Sequence, residues 1–175
     1  MTFWSNAAAE PKRSHRFLVQ FDLGTGNSVE FLARTVDKPS FNIGETEHKF
    51  LGQTYYYPGS VTWNEVKVSL VNSTTPDLDE SLVELLAATG WVVPEDVASG
   101  QGVANARTIN KLDAVGATPN VIIKELNGDG EVLGRWSMRN AWVKDVAFSA
   151  LDYGSEDMLT VDLTFRYDWA VYNAA

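Results

Sequence analysis

The stretch "MLTVDLTFRYDW", residues Met158–Trp169, alternates between apolar and polar side chains along its whole length. One face carries Leu159, Val161, Leu163, Phe165, Tyr167 and Trp169. The other face carries Met158, Thr160, Asp162, Thr164, Arg166 and Asp168. A period of two, without Gly or Pro and rich in β-branched and aromatic residues, predicts one long antiparallel strand with a dry face and a polar face.

A strand of this length needs a long neighbour, and Asn140–Ala150 precedes it through the polar turn Leu151–Glu156. A second hairpin is predicted just upstream, where Val121–Leu126 and Glu131–Trp136 flank the turn Asn127–Gly130, because Asn-Gly is a strong hairpin signal. The fold class we expect is mainly β, an antiparallel β-sandwich or barrel that closes late in the chain. Val171–Ala175 is predicted to be a short tail.

The length and composition of the chain exclude several classes of function. The 175 residues suffice for one domain with a sizeable core, and the lack of cysteine excludes a disulfide scaffold and a Cys-based zinc site. The net charge of −9 argues against a protein that grips nucleic-acid phosphates. No run approaches the roughly eighteen apolar residues of a membrane span, and the first residues do not read as a signal peptide. Six Trp, six Tyr and eight Phe favour large interfaces.

Residues 1–14 are predicted to form an N-terminal arm, and residues 15–175 a single domain. Phe3 and Trp4 stand in polar, Ala-rich surroundings, so the arm is either a frayed tail or a segment that docks these rings on a neighbouring subunit. The domain is predicted to start with strands at His15–Leu23 and Val29–Val36. A G-x-G turn lies between them, but a hairpin follows rather than a helix, so the dinucleotide-binding fingerprint fails.

The segment Phe41–Tyr57 alternates poorly and is too polar to be buried, yet it carries Phe50, Leu51, Tyr55, Tyr56 and Tyr57. It is predicted to be a projecting hairpin with a partner, or alternatively a cap over the domain's own core. The strand Val61–Asn72 follows, with a bulge expected near Asn64-Glu65, because Val61 and Trp63 are out of phase with the valines after them.

One amphipathic helix is predicted over Pro76–Thr89, with Thr75 as N-cap and Gly90 as a left-handed end. Its apolar stripe consists of Leu78, Leu82, Leu85 and Leu86. The stripe should cover one face or an open end of the sheets. Trp91–Pro119 is predicted to be a long loop rich in small residues, with a short strand or helical turn at Thr108–Leu112.

No catalytic, metal or cofactor site is predicted. His15 and His48 lie in a strand and in the hairpin, and no nucleophile-elbow, zinc-protease or P-loop pattern occurs. The turn Asn127–Gly130 lacks the further ligands of a calcium loop. Neighbouring carboxylates are explained by a helix start, a turn and a strand face; they are Asp77 with Asp79, Glu156 with Asp157, and Asp162 with Asp168.

The order of elements nevertheless carries a resemblance. A Phe-rich strand precedes "ARTVDKPSF" (33–41), a polar hairpin leads to "YPGSVTW" (57–63), and the chain closes on "WSMRNAWVKDV" (136–146) and "LTFRYDWA" (163–170). Over Arg16–Ala170 this resembles the tail tube proteins of contractile-tailed bacteriophages. Related tubes occur in contractile injection systems and in type VI secretion.

The resemblance implies a non-enzymatic virion protein that assembles in the host cytoplasm. Its hexameric rings would join their sheets into a ring-wide β-barrel and stack into a hollow tube. The implied partners are a contractile sheath, a tape measure protein, baseplate tube proteins and DNA in transit without specific binding; membrane insertion is not implied. A hairpin in this place contributes to ring stacking in that family. The resemblance therefore implies ring-stacking contacts for the hairpin residues Phe50, Leu51, Tyr55, Tyr56 and Tyr57. Thr160, Asp162 and Thr164 are the candidates for the lumen, where acidic side chains would repel phosphates.

Two other assignments stay open at this stage. The chain could be a tube initiator, a tube terminator or the tube subunit of an injection system. It could also be a monomeric β-sandwich that binds carbohydrate, with Tyr55, Tyr56, Tyr57 or Trp63 as a stacking platform.

Overall fold

The computed structural model describes residues 10–23, 27–29, 32–75, 77–91, 108–118 and 120–174. The strands are β1 (Phe17–Leu23), β2 (Asn27–Val29), β3 (Ala33–Val36), β4 (Phe41–Phe50), β5 (Gln53–Trp63), β6 (Val66–Val71), β7 (Val121–Leu126), β8 (Val132–Arg139), β9 (Trp142–Phe148), β10 (Thr160–Arg166) and β11 (Trp169–Ala174). The helices are α1 (Leu78–Ala88) and α2 (Lys111–Ala117).

Two antiparallel sheets form the body of the protein. One has the strand order β11-β8-β7-β1-β2, the other has the order β3-β6-β10-β9, and strands β4 and β5 pair with each other as a separate hairpin. The predicted mainly-β, antiparallel sandwich is therefore confirmed. The predicted hairpin around Asn127–Gly130 is the β7–β8 pair, and the predicted neighbour of the closing strand is β9.

The core lies between the two sheets and is built from the inward positions of their strands. Phe21 on β1 and Phe165 on β10 meet edge to face across it, with ring centroids 5.4 Å apart, and both are fully buried. Val161, Leu163 and Phe165 confirm the predicted dry face of the closing strand. The leucines Leu78, Leu82 and Leu85 of α1 join the same core, as the predicted stripe requires, whereas Leu86 stays 40% exposed.

The closing strand is shorter than predicted. β10 ends at Arg166, and after a corner at Tyr167 and Asp168 the chain enters β11, which pairs with β8 in the other sheet. Trp169 was expected on the dry face, but it opens β11 and is 48% exposed. The predicted tail from Val171 is therefore wrong. Alternation continues through the corner in sequence, so periodicity alone cannot reveal that the chain changes sheets.

Two further strand predictions also merge separate elements. The predicted strand Val29–Val36 corresponds to β2 and β3, which belong to different sheets, and residues 30–31 between them lie outside the described range. The predicted strand Val61–Asn72 is divided at Asn64 and Glu65: its first residues end the hairpin strand β5, and the rest is β6. The phase change in the sequence therefore marks a break rather than a bulge.

Helix α1 begins two residues later than predicted. Its N-cap is Asp77 rather than Thr75, because the Asp77 carboxylate accepts hydrogen bonds from the backbone N–H groups of Asp79 and Glu80. Gly90 has a φ of 92°, which confirms the predicted left-handed end. A second helix, α2, replaces the predicted strand or helical turn at Thr108–Leu112; the Asn110 side chain caps it by accepting from the N–H of Asp113.

Candidate assembly surfaces

The β4–β5 hairpin projects from the body. Apart from the half-buried Trp63, every residue in both strands is exposed, so the hairpin does not cap the domain's own core. Its base is held by rings that pack at a tilt: the ring centroid of Trp63 lies 5.2 Å from that of Phe41 and 6.0 Å from that of Tyr167. Large apolar side chains remain in contact with solvent over its length; they are Phe41, Ile43, Phe50, Leu51, Tyr55, Tyr56, Tyr57 and Val61.

Strand register separates the five residues expected to stack rings. His48 lies opposite Tyr55, and Thr46 lies opposite Tyr57, so these two tyrosines share one face with Phe50. Tyr56 lies opposite Glu47 on the other face. The aromatic surface near the tip therefore has two sides, and the larger side consists of Phe50, Tyr55 and Tyr57.

The tip itself has an unusual residue. Leu51 and Gly52 form a two-residue turn with φ values of 48° and 79°, the pattern of a type I′ hairpin turn. A left-handed φ suits Gly or Asn, and a residue with a Cβ pays about 1 kcal/mol or more for it. Leu51 is nevertheless 87% exposed and gains little burial within the chain. A strained, exposed leucine at a loop tip favours contact with another molecule.

The polar face of the four-stranded sheet is the second surface. Thr160, Asp162 and Thr164 lie on it, as their alternation with buried Val161, Leu163 and Phe165 requires. In register, Asp162 lies opposite Ser69, and Thr164 lies between Lys67 and Asp145. This face therefore carries both signs of charge rather than acidic groups alone. The lining of a channel by this face stays a prediction.

The edges of this sheet are the third surface. Strand β3 bounds one side and strand β9 the other, and neither pairs with a further described strand on its outer side. Free N–H and C=O groups along a strand edge invite pairing with another chain. Among the described strands, both edges of this sheet are therefore open.

A buried carboxylate stabilises the end of the body next to the predicted arm. Glu125 is 7% exposed and forms ion pairs with Lys12 and Lys38. Burial acts to raise the pKa of Glu125, but hydrogen bonds from the two ammonium groups outweigh it and hold the pKa below its ordinary value. The sequence signal was available, since Glu125 alternates in phase with buried Val121 and Ile123. The predicted arm residues Phe3 and Trp4 lie outside the described residues.

A second carboxylate fixes the corner between β10 and β11. Asp168 accepts hydrogen bonds from Lys111 of α2 and from Asn140 before β9, each at 2.7 Å. These two hydrogen bonds, first that from Lys111 and then that from Asn140, hold the pKa of Asp168 below its ordinary value. These are structural contacts. In the part of the chain that the structure describes, no group of His, Asp and Glu residues could hold a metal ion, and no helix is long and apolar enough to cross a membrane.

Comparison with known proteins places this geometry in a family of folds. No protein-family model and no curated protein matches the sequence. Among solved structures, a chain of the anti-feeding prophage baseplate, six-fold symmetrised, is 17% identical, with 94% of this chain and 97% of that chain covered at a TM-score of 0.65. A chain of the PVC sheath/tube terminator of an extracellular contractile injection system is 16% identical, with 96% and 100% covered at 0.62.

A chain of the PVC sheath-tube complex in its extended state is likewise 16% identical, with 100% of this chain and 99% of that chain covered at a TM-score of 0.59. Identities this low establish likeness of fold alone. The resemblance seen in the sequence is confirmed at that level: this chain has the fold of the tube-type proteins of contractile injection systems.

Proposed function

We propose that this chain is a structural, non-enzymatic subunit of the tube in a contractile tail or injection apparatus. Six copies form a ring, and rings stack head to tail into a hollow tube inside a sheath. The observation that carries the proposal is the β4–β5 hairpin, which exposes a row of aromatic and aliphatic side chains and, among the described residues, packs on the body through Trp63 at its base.

Ring formation uses the open four-stranded sheet. Joining copies edge to edge satisfies the free backbone groups of β3 and β9 and turns the sheets into one continuous barrel, which removes the exposed edges. Six-fold symmetry is supported by the similar chain in a baseplate with that symmetry. The polar face with Thr160, Asp162 and Thr164 then lines the lumen.

Stacking uses the hairpin. In a stack, the tip of one ring reaches the next ring, where Leu51 and the aromatic face of Phe50, Tyr55 and Tyr57 lose their contact with water. Exposed aromatic side chains are typical anchors of such interfaces. Head-to-tail contacts do not close on themselves, so stacking continues into a tube. An N-terminal arm over residues 1–14 adds Phe3 and Trp4 as contacts between subunits.

The partners follow from this role. Similar chains occur in structures of a sheath-tube complex, a sheath/tube terminator and a baseplate, which supports a sheath and baseplate tube proteins as neighbours here. In a phage tail, the lumen would hold a tape measure protein and pass DNA during ejection; the particle would assemble in the host cytoplasm. A terminator or baseplate position is the second candidate, because the same comparisons include both.

A carbohydrate-binding platform is less well supported. Tyr55 and Tyr56 point to opposite faces of their strand, so the three tyrosines do not form one flat surface. Trp63 is packed between Phe41 and Tyr167 at the base of the hairpin and does not offer a free ring face.

Electron microscopy and sedimentation of the purified protein test the proposal. We expect ring-shaped particles with six-fold symmetry, tubes of stacked rings, and a smallest stable species of six times the monomer mass. A discrete monomer at all accessible concentrations would contradict the proposal. Single rings that never stack would favour the terminator or baseplate position instead.

A further inference from the structure

We propose that the ring closes through a defined seam: strand β3 of one copy pairs with strand β9 of the next, and Arg34 of the first copy lies against Asp145 of the second. This inference rests on the ring assembly proposed above. The two strand edges and the charged pair select this arrangement over others.

Strand direction permits the seam. Each neighbouring pair in the four-stranded sheet is antiparallel, from β3 to β6, from β6 to β10 and from β10 to β9. The two edge strands therefore run in opposite directions. When a second copy is placed beside the first by rotation about a ring axis, β3 meets β9 in the antiparallel sense, and the hydrogen-bonding pattern continues across the joint.

Charge selects the seam. Arg34 lies at the bulge of β3 beside Thr35, and both are exposed. Asp145 is exposed on β9 and lies opposite Thr164, on the polar face of the sheet. Within the described residues neither has an ion-pair partner, whereas Lys144, next to Asp145, is paired with Glu65. One edge thus offers a free cation and the other a free anion.

The alternative pairings put like charges together. A two-fold joint of β3 with β3 would bring Arg34 towards its own copy, and a joint of β9 with β9 would do the same for Asp145. Like charges across an interface are strongly unfavourable and serve to exclude wrong partners. The wider surroundings agree, since the groove beside β3 is rimmed by further cations, Lys12, Arg13, Arg16 and Lys38, against the two carboxylates Glu10 and Glu125.

Apolar surface marks the β9 side as an interface. A groove of about 410 Å³ runs between α1 and β9, and Asp145 lies at its rim. Val83, Leu86 and Phe148 around it are 63%, 40% and 50% exposed. Apolar surface at an open sheet edge, next to a single unpaired acid, fits a second copy that presents a basic edge.

Charge reversal with rescue tests the seam. Arg34→Glu and Asp145→Lys should each lower the fraction of protein in rings by roughly tenfold or more, because each places like charges at the joint. The melting temperature of each variant should equal that of the wild type. The double variant Arg34→Glu/Asp145→Lys restores opposite charges and should assemble again. Arg135→Glu, at an exposed position of β8 in the other sheet, is the matched control and should assemble normally.

Cross-linking tests the same contact without relying on charge. The chain has no cysteine, so the variant Arg34→Cys/Asp145→Cys should give a ladder of covalent oligomers up to six on oxidation, and neither single-cysteine variant should extend beyond dimers. Suppose that the wild type forms rings. Any one of three results would then show that the seam is wrong while the tube function stands: normal assembly of the single charge reversals, no rescue in the double variant, or no ladder of cross-linked oligomers. If the wild type forms no rings, both proposals fall.

Discussion

Leu51 stands where backbone geometry and hydrophobicity both disfavour leucine. Its φ of 48° suits asparagine, and its side chain is 87% exposed. We expect Leu51→Asn to leave the melting temperature equal or higher, since the turn loses strain, and to shorten the tubes, since the tip loses its apolar contact. Tube length by electron microscopy and thermal melting measure the two effects.

The control for this variant is Leu151→Asn, which makes the same substitution at a leucine outside the hairpin that is 83% exposed. It should alter neither property. Tubes of normal length from Leu51→Asn would show that the tip does not contact the next ring.

Phe165 and Trp169 were expected on the same dry face, and the structure separates them. Phe165 is fully buried against Phe21, so Phe165→Ala should lower the free energy of unfolding by about 3–5 kcal/mol. That is a large part of the roughly 5–15 kcal/mol of a typical domain. Trp169→Ala, at a half-exposed site, should cost clearly less. Urea denaturation of both variants decides, and equal losses would contradict the corner after β10.

Glu125 makes stability depend on pH. Its pKa is lowered in the folded protein, so its ion pairs with Lys12 and Lys38 contribute stability above the unfolded pKa, near 4.5, and that contribution is lost as the pH falls through the folded pKa. Glu125→Gln should therefore be less stable than the wild type at neutral pH, and the difference should shrink in acid. Denaturation curves across that range measure it.

Glu84→Gln, at an exposed position of α1, provides the baseline for this comparison. It should match the wild type at each pH. A stability difference for Glu125→Gln that persists unchanged into acid would mean that the residue acts through packing rather than charge.

Single residues show what the sequence could and could not tell. Alternation identified Val161, Leu163 and Phe165 as core because each side of a strand sees one environment. It failed at Trp169 because a corner that preserves the alternation leaves no trace in the pattern. The contact of Lys12 with Glu125 spans 113 residues, and no local spacing encodes a pair so far apart.

At the scale of elements, the hairpin was predictable and its internal geometry was not. Its polarity and its cluster of aromatics indicated a projecting segment, whereas the register that separates Tyr56 from Tyr55 and Tyr57 depends on the two-residue turn at Leu51 and Gly52. Helix α2 was missed for a different reason: its seven residues are too few for a clear helical period.

The register allows a clean shortening of the hairpin. Replacing Glu47–Tyr56 with Asn-Gly leaves Thr46 opposite Tyr57 as the last pair and supplies a favourable turn. All the removed residues are exposed, so thermal melting should change little, while stacking should be abolished. Normal-length tubes would refute the stacking role. A collapsed melting temperature would place the hairpin within the cooperative core.

At the scale of the whole molecule, charge would govern what passes through the proposed tube. The chain carries −9, and the polar sheet face balances Lys67 and Arg166 with Asp145 and Asp162. Assembled tubes should therefore bind duplex DNA negligibly at physiological salt, since no excess of cations is available to displace counterions. Co-sedimentation of tubes with labelled duplex DNA measures this binding. Salt-sensitive binding with a micromolar or lower dissociation constant would contradict a lumen that lets DNA pass without binding it.

The fold class and the resemblance were both accessible from sequence because they depend on the order and spacing of elements. The division of strands between two sheets was not, since β2 and β3, or β10 and β11, read as one continuous strand until their partners are known. Partner choice is a long-range property of the packed molecule. For the same reason, the sequence does not reveal that β3 and β9 are the edge strands of their sheet.

The projecting hairpin has a kinetic consequence for the proposed tube. Rotation about one axis points all six hairpins in the same direction, so every ring has one end that gives hairpins and one that receives them, and the tube is a polar polymer. A subunit with the shortened hairpin would still receive but could not give. Mixed into growing tubes at low levels, it would act as a chain terminator at one end only, and mean tube length would report the dose.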